Sequence, residues 1–437
     1  MTPPRSGLPS PPRVLYVVGY LHGNDGITTH LMALSDGLLD REGSVAVASC
    51  VRETPDYHVQ NRGPEWFRAR GVPYYYVPFP DPQRAGRRPF DAVRAVRALY
   101  EAVSDFRPDV LHLHSFSLFP YVWVIRLLTG IPVVSTIHLN PDPKRRGVRL
   151  LSAANAWVPL HPDAVIALCR EQEELFRDRL RVPPGRIHRI PHGIDPTHFR
   201  PPRPSERRAA RAAFGLEGGV PTVGMVGRLD HVKGHDVLIR ALVRLRDEGV
   251  AARALLAGTG AGEAAIRRQV EAAGLTDAVQ FLGFADSREV LWASDISVLP
   301  SRREAFPLVT LEAMLCGVVP VRTPASGAYD QIIDGETGFL IPFDDDAALA
   351  DRLSRLLTDP GRRSAMAAAA LRRARAEFTE ETMIERTAAL YAAVAGGEAV
   401  DRARVPSSVG RDSHGRPSDS GAATSGTAPS SAVGAAR

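Results

Sequence analysis

Cysteine is scarce: Cys50, Cys169 and Cys316 lie scattered through 437 residues with no metal-ligand spacing between them. An odd, dispersed set excludes a disulfide framework or a zinc knuckle and fits a reducing compartment. Aromatic residues make up only 7% of the chain, and no basic patch interleaved with rings is visible, so nucleic-acid binding is not implied. The most apolar segments are interrupted by Arg or Pro before reaching the roughly 20 residues that a bilayer demands. The N-terminal MTPPRSGLPSPPR lacks the apolar core of a secretion signal. These absences give the expectation of a cytoplasmic protein without stable membrane insertion. The net charge of +5 is modest, and the short basic run Lys144, Arg145, Arg146 reads as a solvated loop. The first strand, loop and helix lack the GxGxxG fingerprint, so a nicotinamide cofactor is not supported.

The length predicts two or three domains, and 44% hydrophobic with 24% charged residues is a globular composition. Residues 1–12 are Pro-rich and read as a disordered tail. RVLYVVG is a buried strand, followed by the loop YLHGNDG and a helix with Ile27, Leu31, Leu34 and Leu38 on one face. SVAVAS, VPYYYV, DVLHLHS, IPVVSTI, DAVIALC and RIHRI continue as strands, and DAVRAVRALYEAV, WVIRLL and REQEELFRDRL lie between them as helices. Strand alternation puts His112 and His114 on one side, where a hydrogen-bonded core histidine is the default reading. His114 and His138 stand at the carboxyl ends of their strands, the crevice side of a parallel sheet.

PTHFRPPRP reads as a linker or hinge, and a second alternation begins at VPTVGMVG. The fold class is therefore α/β, two doubly wound Rossmann-like domains facing a cleft. The expected divisions are a tail at 1–12, a first domain at 13–195, a second domain at 196–377, a C-terminal helix at 378–395, and a disordered tail at 396–437.

Two stretches of the second half carry chemistry. In GRLDHVKG, Arg228 and Lys233 flank a strand-to-helix turn, where two cations suit a diphosphate or are ordinary loop charges. The run GTGAG is weak as a phosphate signal. In PSRREAFPLVTLEAMLCG, Pro307 suits the first helical position, Leu308, Leu311 and Leu315 give the buried face, and Gly317 reads as the cap. Glu304 then lies in the loop before the helix and Glu312 one turn inside it. The free backbone N–H groups near Leu308 and Val309 attract anions. The bland alternative makes Glu304 a first-turn charge and Glu312 a solvated residue.

Together, GNDGITTH, STIHLNP, IPHGIDPTHF, VGRLDHVKG, PSRREAFPLVTLEAMLCG and GETGFLIPFDD resemble the retaining glycosyltransferases of family 4, which have the GT-B fold. The resemblance spans residues 13 to about 395 and implies an acceptor-side domain at 13–195, a nucleotide-sugar-binding domain at 196–377 and a helix at 378–395 that crosses back to the first domain. It implies that Arg228 and Lys233 hold the nucleotide diphosphate, that Glu312 accepts from the ribose hydroxyls, and that Glu304 orients the donor sugar with amides near Phe306 and Leu308. It also implies that His138 contacts the sugar and that Gly26 lets the first loop approach the phosphates. The expected substrate is a UDP-sugar, transferred by front-face attack, with no cofactor and no metal. SGAYD departs from the usual family loop, with Asp330 in place of a longer acid.

HSFSLFP, STIHLNPDPK and RTPASGAYDQIIDG are similar to 2-deoxystreptamine glycosyltransferases of aminoglycoside antibiotic pathways, especially those that transfer N-acetylglucosamine. An aminocyclitol with two ammonium groups needs carboxylates, and Asp25 and Asp142 are the acceptor-side candidates. The alternatives are an inositol, lipid-linked or polysaccharide acceptor, a nucleotide-sugar isomerase of the same fold, and a sensor that binds without turnover. Oligomeric state is left open.

Overall fold

The computed structural model describes residues 12–19, 21, 26–51, 63–79, 89–138, 161–216 and 219–397. Seven strands form the first sheet: β1 (Arg13–Val18), β2 (Ser44–Ser49), β3 (Tyr74–Tyr76), β4 (Val110–Leu113), β5 (Val133–Thr136), β6 (Ala164–Ala167) and β7 (Ile187–Arg189). All pair in parallel, in the order β3-β2-β1-β4-β5-β6-β7. Their apolar runs are continuous because both faces are covered. Val14, Tyr16 and Val18 pack with Leu31, Leu34 and Leu38 on one side. Leu15 and Val17 pack with Leu99, Val103, Val122 and Ile125 on the other.

The second sheet has six strands: β8 (Thr222–Val226), β9 (Arg253–Ala257), β10 (Val279–Gly283), β11 (Ile296–Leu299), β12 (Val319–Arg322) and β13 (Phe339–Leu340). They too are parallel, in the order β10-β9-β8-β11-β12-β13. The expected pair of doubly wound domains is therefore what the chain forms. Strand order reverses between β1 and β4 in one sheet and between β8 and β11 in the other, and crevices open at the carboxyl ends there.

The chain crosses between the halves twice, and the two crossings pair. Ile194 bridges Thr379 in parallel, with Ile194 N donating to Phe378 O at 2.9 Å and Glu380 N to Ile194 O at 3.1 Å. A Cβ at Gly193 would stand 2.3 Å from Thr379 O, so this approach requires glycine. Thr379 caps the helix Glu380–Ala395, which lies against the helix Gly26–Leu39 of the first half. That contact also needs a glycine: a Cβ on Gly37 would stand 2.3 Å from Ile384 Cδ1.

Two sequence expectations need correction. Residues 196–204 are not a loose linker: Trp292 Nε1 donates to Arg200 O at 2.8 Å, and the Arg200 guanidinium forks onto Glu206 at 2.8 and 2.9 Å. Apolar packing of Phe199 holds the same strap down, which outweighs the turn-forming prolines. Pro307 is the N-cap rather than the first helical residue of Leu308–Leu315, because its ψ of 125° is extended although its φ suits a helix. Gly317 does close that helix, with φ 71°. The tails at 1–11 and 398–437, Asp25 and Asp142 lie outside the described residues. Among the described residues, no helix is long and apolar enough to cross a membrane, and Cys50, Cys169 and Cys316 form no disulfide.

Candidate functional site

The C-terminal half supplies two loops, one after β8 and one after β11. In the first, Asp230 caps the short turn His231–Lys233 by accepting from Lys233 N at 3.2 Å. Gly234 then takes φ 77° before the helix His235–Asp247 begins. A Cβ on Gly234 would stand 2.1 Å from Pro300 O, at the end of β11, so glycine lets the two loops touch. The result is an ion pair between them: Lys233 Nζ lies 2.7 Å from Glu304 Oε1. Arg228 projects into solvent, 77% exposed and 2.8 Å from Asp230.

The GTGAG run has a packing explanation. Gly258 would place a Cβ 2.0 Å from Gly227 O, and Gly260 and Gly262 would approach Leu229 O to 2.4 and 2.8 Å. Its backbone shapes the loop that carries Arg228, with Leu229 N donating to Thr259 O at 3.0 Å. Sequence reading gave these glycines no such task.

Glu304 precedes the helix Leu308–Leu315, and Glu312 sits inside it beside Ser287, which donates to its carboxylate. Burial, reinforced by the nearby Asp286 charge, pushes the Glu312 carboxyl up to about 7. The solvated alternative for Glu312 thus does not hold. Phe306 is buried between the halves, edge-on to His192 and tilted against Phe378, while Leu308 and Val309 are half-buried at the helix start. Gly26 opens the helix Gly26–Leu39, and a Cβ there would meet Leu308 Cδ1 at an ordinary 3.7 Å. Two helix N-termini therefore face each other across the cleft. The N–H groups at the start of the helix Leu308–Leu315 suit an anion.

The floor beneath the second N-terminus is a buried cation. Arg322 is 1% exposed, donates to Ala325 O and Ser326 O at 3.0 and 3.2 Å, and bonds Gln331. Gln331 in turn donates to Pro307 O at 3.0 Å. Burial draws the Arg322 guanidinium down to about 10. This residue was not singled out from the sequence, since an arginine inside a strand signal carries no pattern of its own.

On the N-terminal side, His138 follows β5 and His114 follows β4. His114 Nδ1 and His138 Nε2 share a hydrogen bond at 2.9 Å. His138 also stacks on His192, with ring centroids 5.2 Å apart and planes 10° apart, and His192 Nδ1 meets His30 Nδ1 at 3.0 Å. Burial holds His114, His138 and His192 well below the ordinary imidazole range and His30 at about 4, so the cluster is neutral. His112 is the core histidine that the default reading expects, bonded to Thr136 Oγ1 at 2.8 Å and to Tyr391 of the crossing helix. His30 and His192 were quoted within motifs but given no role.

A third set of contacts ties the halves. The Asp330 carboxylate accepts from Arg170 N at 3.2 Å and lies 3.4 Å from Arg189, and Glu171 Oε2 accepts from Gly327 N at 2.9 Å. Asp330, noted from sequence as a departure, thus bears on domain contact.

The chain matches two family models, Glycosyltransferase Family 4 over residues 24–198 and Glycosyl transferases group 1 over residues 206–373. It is 28% identical over 413 residues to a D-inositol 3-phosphate glycosyltransferase of Stackebrandtia nassauensis, covering 88% of this chain and 90% of the relative. A second protein so named, from Actinosynnema mirum, is 30% identical over 308 residues, 65% of this chain and 72% of the relative. Among solved structures, a glycosyltransferase from Rickettsia africae superposes with a TM-score of 0.77 at 17% identity, covering 88% and 98% of the two chains. The Anabaena HepE protein in complex with UDP gives 0.73 at 21% identity, covering 86% and 98%.

Proposed function

Because the chain belongs to the family 4 and group 1 glycosyltransferases, GT-B enzymes that draw on nucleotide-sugar donors, we propose that it is a retaining hexosyltransferase using UDP-N-acetylglucosamine and a small cyclitol acceptor, 2-deoxystreptamine in the first instance. The observation that carries the donor half is the Lys233–Glu304 pair at the ends of β8 and β11, 2.7 Å apart beside a helix N-terminus. The UDP complex of a protein with the same fold supports the choice of nucleotide.

In this reading the diphosphate draws Lys233 away from Glu304. Arg228, exposed and 2.8 Å from Asp230, exchanges that carboxylate for the diphosphate and folds in as the second cation. Charge grows on the departing phosphate as the glycosidic bond breaks, so two fixed cations and the N–H groups near Leu308 and Val309 stabilise the transition state more than the ground state. The donor needs no metal if those groups neutralise it. Glu304, released from Lys233, accepts from the sugar hydroxyls, while Glu312 accepts from the ribose. His138, neutral and held by His114, faces the sugar from the other half. The acceptor hydroxyl attacks on the face that UDP leaves, and a phosphate oxygen takes its proton. Asp25 and Asp142 are the carboxylates assigned to the ammonium groups of the acceptor.

The names of the two relatives favour a second acceptor reading, an inositol phosphate. Mass spectrometry of reactions in EDTA, with UDP-N-acetylglucosamine or UDP-glucose and either 2-deoxystreptamine, myo-inositol or inositol 3-phosphate, separates the two. An N-acetylhexosamine added to 2-deoxystreptamine with release of UDP supports the first reading. Addition only to an inositol replaces the acceptor and keeps the donor site. A converted sugar nucleotide with no acceptor present would point to isomerisation instead.

A further inference from the structure

The buried imidazoles of the N-terminal half amount to more than the single sugar contact assigned to His138. His30 and His114 are 7% and 2% exposed, and each carries one ring nitrogen, Nε2, without a hydrogen-bond partner among the described residues. His138 carries a third such atom, Nδ1. Buried polar atoms without a partner are rare in folded proteins, so three in one cluster call for an occupant. One ring nitrogen from each of the three can be chosen so that all lie within 4.8 Å of one another. The ring centroids are 5.8 Å apart for His30 and His114, 5.3 Å for His30 and His138, and 5.2 Å for His114 and His138.

We propose that His30, His114 and His138 form a binding site for one divalent transition-metal ion, with Zn(II) as the reference ion and His192 as the residue that holds His30. Imidazole nitrogens bind zinc at about 2.0–2.1 Å, which places tetrahedral ligands roughly 3.3 Å apart, so the rings must close by about an ångström or more. The cluster offers no carboxylate, which disfavours Mg(II) and Ca(II) and favours Zn(II), Co(II), Ni(II) or Cu(II). His192 Nδ1, 3.0 Å from His30 Nδ1, supplies the outer hydrogen bond that orients a metal-bound histidine. Three protein ligands leave a fourth position for water. The ion is separate from the donor diphosphate, which the preceding reading gives to Arg228 and Lys233. The site shares His138 with that reading, but metal binding is measured without any substrate.

The test uses the full chain, freed of any affinity tag, stripped with EDTA and dialysed. Titration with Co(II) should give visible absorption bands of four- or five-coordinate nitrogen ligation, saturating at one ion per chain and displaced by Zn(II). Equilibrium dialysis with Zn(II) alone should give the same stoichiometry. His30→Gln and His138→Gln should each weaken Zn(II) binding by at least about tenfold and abolish the bands, while His198→Gln on the exposed strap should leave both unchanged. Far-UV circular dichroism of the variants checks that they are folded. Absence of saturable binding in the unsubstituted chain overturns the proposal without recourse to any variant. Equal affinity in folded His30→Gln and His138→Gln overturns it as well, since the ion would then sit elsewhere.

Discussion

Lys233 Nζ and Glu304 Oε1 lie 2.7 Å apart, with side chains 19% and 10% exposed, joining the loop after β8 to the loop after β11. An ion pair so placed competes with any diphosphate for the ammonium group. Glu304→Gln should therefore tighten UDP binding a few-fold while lowering transfer by about a hundredfold or more, because the sugar loses its acceptor. Lys233→Ala should weaken UDP binding at least about tenfold. Isothermal titration with UDP and steady-state kinetics read both, and UDP affinity unchanged in Lys233→Ala would remove Lys233 from the diphosphate site.

The same pair makes a stability prediction. Lys233→Ala leaves Glu304 as a largely buried, unpaired carboxylate, whereas the double variant Lys233→Ala, Glu304→Ala removes both charges. The double variant should melt at a higher temperature than the single one. A double-mutant cycle with no coupling would show that solvent already compensates the pair.

Glu312 should give donor binding a pH dependence. Its folded pKa, about 7, lies above the ordinary carboxylate value, so burial disfavours the charged form. The sign follows: its favourable contribution to stability is fully present below the unfolded pKa and is lost as pH rises through 7, by about 3 kcal/mol at most. UDP binding should run the other way, because ribose hydroxyls donate to the charged carboxylate. UDP affinity should rise from pH 6 to 8 with release of a proton, detected as a dependence of binding heat on buffer ionisation. Glu312→Gln should flatten both trends, and a slope unchanged in that variant would place the titrating group elsewhere.

Asp330 joins the halves through Arg170 N and Arg189. Asp330→Ala should loosen that contact, raising the radius of gyration in small-angle scattering without UDP and lowering the melting temperature by several degrees. Scattering curves that superimpose would show that the paired crossing at Ile194 and Thr379 fixes the halves by itself.

Two glycines should respond in opposite ways. Gly193→Ala forces a Cβ to within 2.3 Å of a backbone oxygen and should cost about 2 kcal/mol or more in denaturant unfolding. Among the described residues, Gly26→Ala meets nothing closer than an ordinary contact at 3.7 Å, so stability should hold. If the first loop approaches the phosphates at this point, UDP-sugar affinity should nevertheless fall. Unchanged affinity would leave Gly26 without a donor role.

Much of the fold was legible because a strand covered on both faces writes itself as an unbroken apolar run, as at RVLYVV and ISVL. The helix Glu380–Ala395 was readable from a different pattern, a one-sided stripe: Met383, Ile384, Leu390, Tyr391 and Val394 are buried at helical spacing. Loop chemistry was less legible. GTGAG is only a weak phosphate signal in the sequence, and its glycines serve the close approach of two protein backbones; a sequence does not say what a missing Cβ makes room for. The prolines of 196–204 suggested a hinge, but turn propensity does not reveal that Trp292 and Glu206 hold the segment down.

The sequence by itself determined the two α/β series, the family motifs, and the placement of Arg228, Lys233, Glu304 and Glu312 around strand ends, because periodicity and short-range order are local properties. The tertiary structure alone decided which of these residues meet. Lys233 and Glu304 are 71 positions apart and His30 and His192 are 162 apart, and parallel strands joined through crossovers bring such distant loops to one crevice. Whether a histidine ends in a neutral buried cluster, or a glutamate near pH 7, depends on how much water the neighbouring elements exclude, and that is fixed only when those elements pack together.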